Sequence, residues 1–196
     1  MSKLSAGFYM REDVVLIARE LLGKVLCTRF DGALCSGIIT ETEAYAGIRD
    51  KASHAYNGRR SERTEIMYWK GGTAYVYLCY GVHSLFNVVT NKADVPDAVL
   101  IRGISPINGI ETMLKRSGKQ SLDKNFGVGP GKVAKVLGIH YSHTGLDLCG
   151  RSIWIEDTGI SAAKDEIFSG PRIGVDYAGD DALLPYRFIF TKYQKK

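Results

Sequence analysis

The sequence predicts an α+β fold, with a single domain over residues 1–196 built on a curved, mostly antiparallel β-sheet flanked by helices. Three observations support this prediction. Short strand-like segments follow one another through tight turn signals, regular strand–helix–strand units are few, and neither a linker nor an internal repeat divides the chain. With 45% hydrophobic residues, the 196-residue chain is long enough to bury one core without disulfides or metals.

The N-terminal part of the chain is predicted to form a helix followed by a β-hairpin. Apolar residues at helical spacing form one face, namely Val14, Ile17, Ala18, Leu21 and Leu22. Gly23 follows at the position where helices commonly end. Residues 24–30 and 37–45 are predicted to be strands, and Asp31-Gly32 between them is a strong signal for a two-residue turn.

The rest of the chain is predicted to contain further strands, two short helices and one long irregular stretch. Residues 47–69 show no apolar periodicity, and a loop of this length is usually functional or mobile. Ser105-Pro106 supplies an N-cap and a first-turn proline for a helix that ends near Gly118, and residues 129–132 open another. The other strands are predicted at residues 73–79, 85–90, 98–104, 152–156, 172–176 and 186–191, with a protruding hairpin tip at 80–84.

Composition narrows the classes of function. The net charge of +5 attracts polyanions, although an excess of this size is also common in proteins without a nucleic-acid partner. The four cysteines are scattered without zinc-ligand spacing, which favours a reducing compartment. The N-terminus lacks a signal-peptide pattern and no segment is long and apolar enough to span a bilayer, so we expect a soluble, cytoplasmic protein.

Two carboxylates and an aromatic side chain are predicted to share one strand face. Strand side chains alternate, so Glu41, Glu43 and Tyr45 point the same way. Unpaired buried carboxylates are costly, so a solvent-facing strand end is the simpler interpretation when the segment is taken alone. The alternative is a general base beside a stacking platform.

Tyrosines cluster around the predicted hairpin tip. Tyr75 and Tyr77 share a face, which core packing explains well because aromatic residues are good strand formers. Packing does not explain Tyr80, which stands at the turn before Gly81. An exposed aromatic on a protruding hairpin indicates insertion into a partner, and wedge residues of this kind enter DNA between base steps.

Three further features allow two interpretations each. Arg102, in an apolar strand, suits a structural ion pair and a site that holds an anion or a water equally well. His54, alone in a loop, is more often idle than functional. Residues 127–132 are rich in glycine, which suits either a phosphate contact at a helix N-terminus or a plain tight turn. Val133 stands where a nucleotide-binding P-loop carries Ser or Thr.

Taken together, these motifs resemble the alkyladenine (3-methyladenine) DNA glycosylase family of the mammalian alkylpurine type. The resemblance spans roughly residues 20 to 190 and depends on an ordered set of segments with matching spacing. These segments are Leu21-Leu22-Gly23, Glu41-Thr42-Glu43-Ala44-Tyr45, His54, Arg63, Tyr75-Val76-Tyr77, Tyr80-Gly81, Asn87, Val99-Leu100-Ile101-Arg102, Gly129-Pro130-Gly131-Lys132 and Arg172-Ile173-Gly174-Val175.

The resemblance implies a division of labour within the site. Glu43 matches the glutamate that activates a hydrolytic water, and Arg102 and the Ile173 carbonyl match the groups that hold that water. Asn87 matches the side chain that disfavours normal guanine by clashing with its 2-amino group. The walls of the pocket for a flipped base are implied to be Tyr45, His54 and Tyr77.

The resemblance also implies the contacts with duplex DNA. Tyr80 matches the residue that fills the gap left by the flipped nucleotide, so the hairpin is expected to enter DNA. The implied phosphate contacts are Arg59 and Arg63, to which the glycine-rich loop adds Lys132. Val82 and His83 depart from the family, because mammalian members carry bulkier wedge residues there, and this difference is expected to change lesion range and flipping strength.

The implied activity is hydrolysis of the N-glycosidic bond of damaged purines in double-stranded DNA, leaving an abasic site. The implied lesions are 3-methyladenine, 7-methylguanine, hypoxanthine and ethenoadenine. No lysine is placed as a Schiff-base nucleophile, so we expect a monofunctional enzyme that does not cleave the strand and needs no metal. We also expect a monomer with no cofactor and no membrane partner, and, if the source is a bacterium, a pool of the protein associated with the nucleoid. The rival hypotheses are a DNA- or RNA-binding module without activity and a metabolic enzyme that binds a free nucleoside.

Overall fold

The computed structural model describes residues 2–193, and this part of the chain forms one nine-stranded sheet in which every pairing is antiparallel. The strands are β1 Ser2–Lys3, β2 Val25–Phe30, β3 Ala33–Tyr45, β4 Ala74–Cys79, β5 His83–Thr90, β6 Asp97–Asn108, β7 Ile153–Asp157, β8 Ile167–Gly170 and β9 Arg187–Phe190. The α-helices are α1 Ala6–Tyr9, α2 Val14–Glu20, α3 Ile110–Ser117 and α4 Pro130–Leu137, and short 3-10 helices, among them Asp176–Leu183, occur in the connecting segments. The predicted α+β class with an antiparallel sheet is confirmed.

The sheet is organised around β3. Its main path runs β1-β7-β2-β3-β6-β5-β4, and β9 pairs with both β3 and β8 beside that path. The pairing of β3 with β6 contains register shifts at Ser36/Gly37 and on both sides of Glu41. Such bulges bend a strand and increase its twist. They account for the predicted curvature, and one of them lies two residues before Glu43.

The turn between β2 and β3 shows how the sequence sets the register. Asp31 and Gly32 have φ angles of 52° and 77°, the left-handed backbone that a two-residue hairpin turn requires. Phe30 therefore pairs directly with Ala33, and Val25 pairs with Ile38 further along the hairpin. The prediction of a hairpin at Asp31-Gly32 is confirmed.

Helices α2 and α4 cover the sheet and close the main core. The side chain of Asp13 caps α2 by accepting a hydrogen bond of 2.9 Å from the Leu16 amide. Thr42 ties the helix to β3, because its hydroxyl donates to the Ala18 carbonyl at 2.8 Å. The fully buried side chains of this core include Ile17, Leu21, Leu22, Phe86, Ile101, Val133, Leu137 and Phe188. Within residues 2–193, no helix is long and apolar enough to cross a membrane.

The helix predicted to end near Gly118 is present as α3, but its predicted start is wrong, and so is one predicted strand. Ser105 and Pro106 do not begin a helix: β6 continues to Asn108, and α3 starts at Ile110 after Gly109, whose φ is 75°. Pro106 pairs with Gly37 beside the register shift, and a bulge is a place where a strand tolerates the missing proline N–H. The segment 172–176 is not a strand, and the backbone amide of Ile173 donates to the side chain of Glu43 instead of to a neighbouring strand.

Candidate active site

The end of β3 brings its polar side chains to one face, as strand alternation predicts. Glu43 pairs with Leu100 of β6 on one side and with Arg187 of β9 on the other. Its side chain has no exposed surface. The prediction that Glu41, Glu43 and Tyr45 share a face is confirmed by their contacts, and the alternative of a solvent-facing strand end is excluded for Glu43.

Three groups surround the Glu43 carboxylate. The Tyr45 hydroxyl donates to Oε2 at 2.8 Å, and the Ile173 amide donates to Oε1 at 2.8 Å. The Arg102 guanidinium reaches both oxygens, with Nη1 3.4 Å from Oε2 and Nε 3.3 Å from Oε1. Burial raises the pKa of Glu43, while Arg102, the Ile173 amide and the Tyr45 hydroxyl lower it, and the net direction is upward.

Arg102 bridges the two glutamates. Its Nε lies 3.1 Å from Oε1 of Glu41, and Arg187 approaches the same oxygen at 3.3 Å. Arg102 is 9% exposed and also lines the cavity described below. Arg102 therefore forms ion pairs and also faces the cavity. The structural ion pair and the site for an anion or a water, which the sequence left as alternatives, are compatible with one another.

A cavity of about 420 Å³ opens beside this carboxylate. Its volume lies within the range of small-molecule pockets. Glu43 is not among the lining residues, but three of its contacts are, so the carboxylate lies directly behind the wall. The polar and aromatic lining residues are Tyr45, His54, Arg63, Tyr75, Tyr77, Tyr80, Asn87, Arg102 and Tyr177, and Ile173 lines the cavity too.

The aromatic wall is a packed cluster. The rings of His54 and Tyr77 are 4.7 Å apart in an edge-to-face arrangement, and those of Tyr75 and Tyr77 are 5.3 Å apart. The Arg63 guanidinium lies 4.8 Å from the centre of the Tyr77 ring. These contacts order the wall before any ligand enters.

The protonation of His54 follows from its neighbours. Arg63 Nη2 lies 3.3 Å from Nε2 of His54, and Tyr75 Oη lies 2.9 Å from Nδ1. Arginine can only donate, so Nε2 accepts and Nδ1 carries the proton that is donated to Tyr75. Burial, together with Arg63 and Arg59, lowers the pKa of His54 to about 4, so the ring is neutral at physiological pH.

Asn87 occupies a buried position in the cavity wall and is 4% exposed. Its side-chain amide donates to the Tyr75 carbonyl at 3.1 Å and to the Leu85 carbonyl at 3.3 Å. Both contacts use the amide nitrogen, so the side-chain oxygen remains an acceptor. The anchoring of the nitrogen fixes the orientation of this group.

The β4–β5 hairpin carries Tyr80 at its tip. Tyr80 is 93% exposed, with Val82 at 73% beside it. The φ of Tyr80 is 51°, a left-handed conformation that a bulky residue rarely adopts, and Gly81 follows with φ 70°. An aromatic side chain held in solvent on a strained backbone indicates a functional contact more than a structural one.

The three residues predicted to contact phosphates lie on the surface. Arg59, Arg63 and Lys132 are all exposed, and of these only Arg63 lines the cavity. Lys132 follows Gly131, where a Cβ atom would lie 3.2 Å from Cβ of His83. The hairpin and the start of α4 are therefore in close contact. Within residues 2–193, no three His, Cys, Asp or Glu side chains are grouped to hold a metal ion.

Comparison with known proteins decides the family. The family model described as methylpurine-DNA glycosylase (MPG) matches residues 7–194. The chain belongs to the methylpurine-DNA glycosylase family. Curated relatives named "Putative 3-methyladenine DNA glycosylase" match nearly the whole chain, and three of them illustrate the similarity. The protein of Chlamydia felis is 44% identical over 98% of this chain and 98% of its own length. That of Chlamydia abortus is 46% identical over 95% of this chain and 97% of its own. That of Clostridium perfringens strain 13 is 42% identical over 95% of this chain and 94% of its own.

Family membership confirms the resemblance found in the sequence. A methylpurine-DNA glycosylase is a hydrolase of base excision repair, and its substrate is DNA. The chain is therefore a DNA glycosylase. This places the buried carboxylate, the aromatic cavity and the exposed hairpin tyrosine in an enzyme that acts on DNA, although the family match assigns no role to any one of them.

The site of this methylpurine-DNA glycosylase contains residues to which the sequence analysis gave no role in the site. Tyr75 contacts His54, and Tyr177 lines the cavity and donates to the Ala52 carbonyl at 3.1 Å. Arg172 and Asp50 form a buried ion pair behind Tyr45. Alternation already placed Tyr75 on the face of Tyr77, but no local pattern marks Asp50, whose partner is 122 positions away.

Proposed function

We propose that this DNA glycosylase flips alkylated or deaminated purines out of duplex DNA and hydrolyses their N-glycosidic bond with a water activated by Glu43. The observation that carries the proposal is a fully buried carboxylate behind an aromatic cavity, with an exposed tyrosine on a neighbouring hairpin. The proposed bases are 3-methyladenine, 7-methylguanine, hypoxanthine and ethenoadenine. The product is an abasic site.

Extrusion of the nucleotide is the first step. C1′ of a stacked nucleotide is inaccessible, and unstacking with unpairing costs a few kcal/mol, less for a damaged pair. Tyr80 is exposed on a hairpin whose strands are fixed by pairing from Ala74 to Cys79. We propose that its ring fills the gap in the stack and opposes return of the base. The phosphate contacts that hold the duplex are proposed to be Arg59, Arg63 and Lys132.

The cavity then selects the base. Tyr45, Tyr77 and His54 offer aromatic surfaces, and a cationic alkylated purine gains roughly 1–2 kcal/mol over an electron-rich ring when desolvated. The neutral state of His54 avoids adding a positive charge beside such a base. Asn87 is fixed by two carbonyl contacts, so it cannot swing away from a 2-amino group. We propose that this rigidity disfavours normal guanine.

Hydrolysis uses the carboxylate twice. The water oxygen attacks C1′, the C1′–N bond breaks, and Glu43 takes the proton that the water releases. The same negative charge stabilises the oxocarbenium-like transition state. Arg102 and the Ile173 carbonyl are proposed to hold the water, and a purine alkylated at N3 or N7 leaves as a neutral base. The described residues that line the cavity include no lysine, which supports hydrolysis without strand cleavage.

The test is release of purines from methylated duplex DNA, read as free bases and as alkali-labile abasic sites. The Glu43→Gln protein should release no purine yet still bind the lesion. Glu111→Gln is the matched control, because Glu111 is exposed on α3. Near-normal release by Glu43→Gln would refute the assigned base. DNA binding without release by the wild-type protein would support a binding module, and activity on free nucleosides alone would support a metabolic enzyme; either result overturns the proposal.

A further inference from the structure

The segment 171–175 carries the amide that contacts Glu43, and a side chain rather than a strand pairing anchors it. Arg172 is 4% exposed. Its guanidinium faces the Asp50 carboxylate with both terminal nitrogens: Nη2 donates to Oδ1 at 2.8 Å, and Nη1 contacts Oδ2. Such a bidentate fork fixes orientation as well as distance.

The fork joins three parts of the chain. Arg172 Nη1 donates to the Ala44 carbonyl at 2.9 Å, and Nη2 donates to the Asp181 carbonyl at 3.0 Å. The Asp50 carboxylate in turn accepts the amides of Ala46 and Ala52, each at 3.0 Å. The pair therefore ties β3 to the loop that follows it and to residues 176–183.

The same guanidinium supports the Tyr45 ring. Its carbon atom Cζ lies 4.9 Å from the ring centre of Tyr45 and 5.3 Å from that of Tyr186. Arg172 thus contacts Tyr45 directly and is the neighbour of Ile173 in the sequence. Tyr45 and Ile173 are the residues that donate the short hydrogen bonds to Glu43. Arg172 itself is not among the described residues that line the cavity.

Stability alone is a weak reason for such a pair, because a buried ion pair often contributes little net free energy after desolvation. Geometry is a stronger reason. We infer that Arg172, clamped by Asp50, is a positioning residue that holds the Ile173 amide and the Tyr45 ring against the Glu43 carboxylate. The inference rests on the proposed role of Glu43.

The clamp, by which we mean the ion pair of Arg172 and Asp50, predicts an effect of pH on the rate. The charged and titratable groups around Glu43 are Arg102 from β6, Arg187 from β9, Tyr77 from β4, Glu41 and Tyr45 from its own strand, and Arg172. Hydrogen bonds from Ile173 and Tyr45 favour the ionised carboxylate. If the clamp is removed, these bonds loosen while burial remains, so the pKa of Glu43 should rise.

The experiment compares Arg172→Met and Arg172→Lys with the wild-type protein. Lysine keeps the charge but lacks the planar fork. Arg11→Met is the control, because Arg11 also pairs with a carboxylate, Glu20, but outside the site. Single-turnover purine release is measured against pH, and the Ile173 amide is followed by NMR as a reporter of Glu43 ionisation.

The expected result is a loss of about tenfold or more in rate at neutral pH for Arg172→Met, because small misplacements of catalytic groups are costly. Its acid limb should move upward by about one pH unit, as should the midpoint of the Ile173 titration. Arg172→Lys should show the same shift more weakly, and Arg11→Met none.

The inference is overturned if a folded Arg172→Met keeps both the pH profile and the Ile173 titration of the wild type. If that protein fails to fold, the same comparison on Arg172→Lys decides. Failure of the proposed function gives a different pattern. In that case the wild-type protein releases no purine, or Glu43→Gln equals it in rate, while the Ile173 titration still reports whether Arg172 holds the amide.

Discussion

The hydroxyl of Tyr45 donates a hydrogen bond of 2.8 Å to Oε2 of Glu43, two positions earlier on the same strand. One side chain thus presents a ring to the cavity and a donor to the buried carboxylate behind it. Both functions depend on strand alternation, which puts residues 43 and 45 on one face. The arrangement couples the wall that would stack on a base to the ionisation of the group that would activate water.

Tyr45→Phe separates these two functions. The ring remains, but the carboxylate loses a donor that favours its ionised form, so the pKa of Glu43 should rise and the acid limb of the rate profile should move upward. Hydrogen bonds to charged groups contribute about 1.5–3 kcal/mol, so we expect roughly a tenfold or larger loss of single-turnover rate at neutral pH. Lesion binding should change much less. A profile identical to that of the wild type would contradict this role for the hydroxyl.

Glu43→Gln should alter stability in a pH-dependent manner. Burial raises the pKa of Glu43, so the folded protein keeps a proton that the unfolded chain has already released. Wild-type stability therefore falls as pH rises above the ordinary glutamate value of about 4.3, through the raised folded-state pKa. The variant lacks this loss, so its melting temperature relative to the wild type should increase with pH. Thermal melts across that range test this, with Glu111→Gln expected to show no such trend.

Tyr80→Gly should weaken flipping without weakening the fold. Glycine adopts the left-handed backbone of this position without strain, and a strained residue costs of order 1 kcal/mol or more. We expect the melting temperature to stay or rise, while binding to a pyrrolidine-type abasic analogue in duplex DNA falls. Asp94→Gly is a matched control, since Asp94 has φ 66° and lies outside the cavity lining. Unchanged binding by Tyr80→Gly would show that the ring does not fill the gap.

Arg63→Met should raise the pKa of His54. Arg63 lies 3.3 Å from Nε2 and is one of the causes, after burial, that lower the value to about 4. Without this cation the pKa of His54 should move toward its ordinary range, and the ring should lose its fixed tautomer. NMR titration of the histidine ring measures both effects. Arg151→Met, an exposed substitution elsewhere, should leave the titration unchanged; a shift in both variants would mean that Arg63 has no specific role.

Local patterns predicted much of the fold and of the site. Strand alternation placed Glu41, Glu43 and Tyr45 together, and Asp31-Gly32 set the first hairpin. These features depend on neighbours within a few positions, so a single sequence contains them. The start predicted for α3 at Ser105-Pro106 was wrong because pairing with β3 outweighed a local capping signal, whereas its predicted end near Gly118 was confirmed.

The features that the sequence left unpredicted are contacts between distant segments. Asp50 and Arg172 meet only because the sheet brings the end of β3 beside the loop after β8. The donation from the Ile173 amide to Glu43 spans 130 positions and depends on that same approach. The resemblance to a family named Ile173 through its carbonyl, whereas the hydrogen bond present in the structure comes from its amide.

The central place of β3 also sets how firmly each part of the site is held. Around Glu43 the strand is bonded to β6 on one side and to β9 on the other, so exposing this backbone to solvent requires pairings on both sides to open. Tyr80 stands at the end of a two-stranded projection and needs no such opening to move. If the proposed roles hold, water activation belongs to backbone that is paired on both sides, and probing of the duplex belongs to a tip whose residues pair with one strand alone.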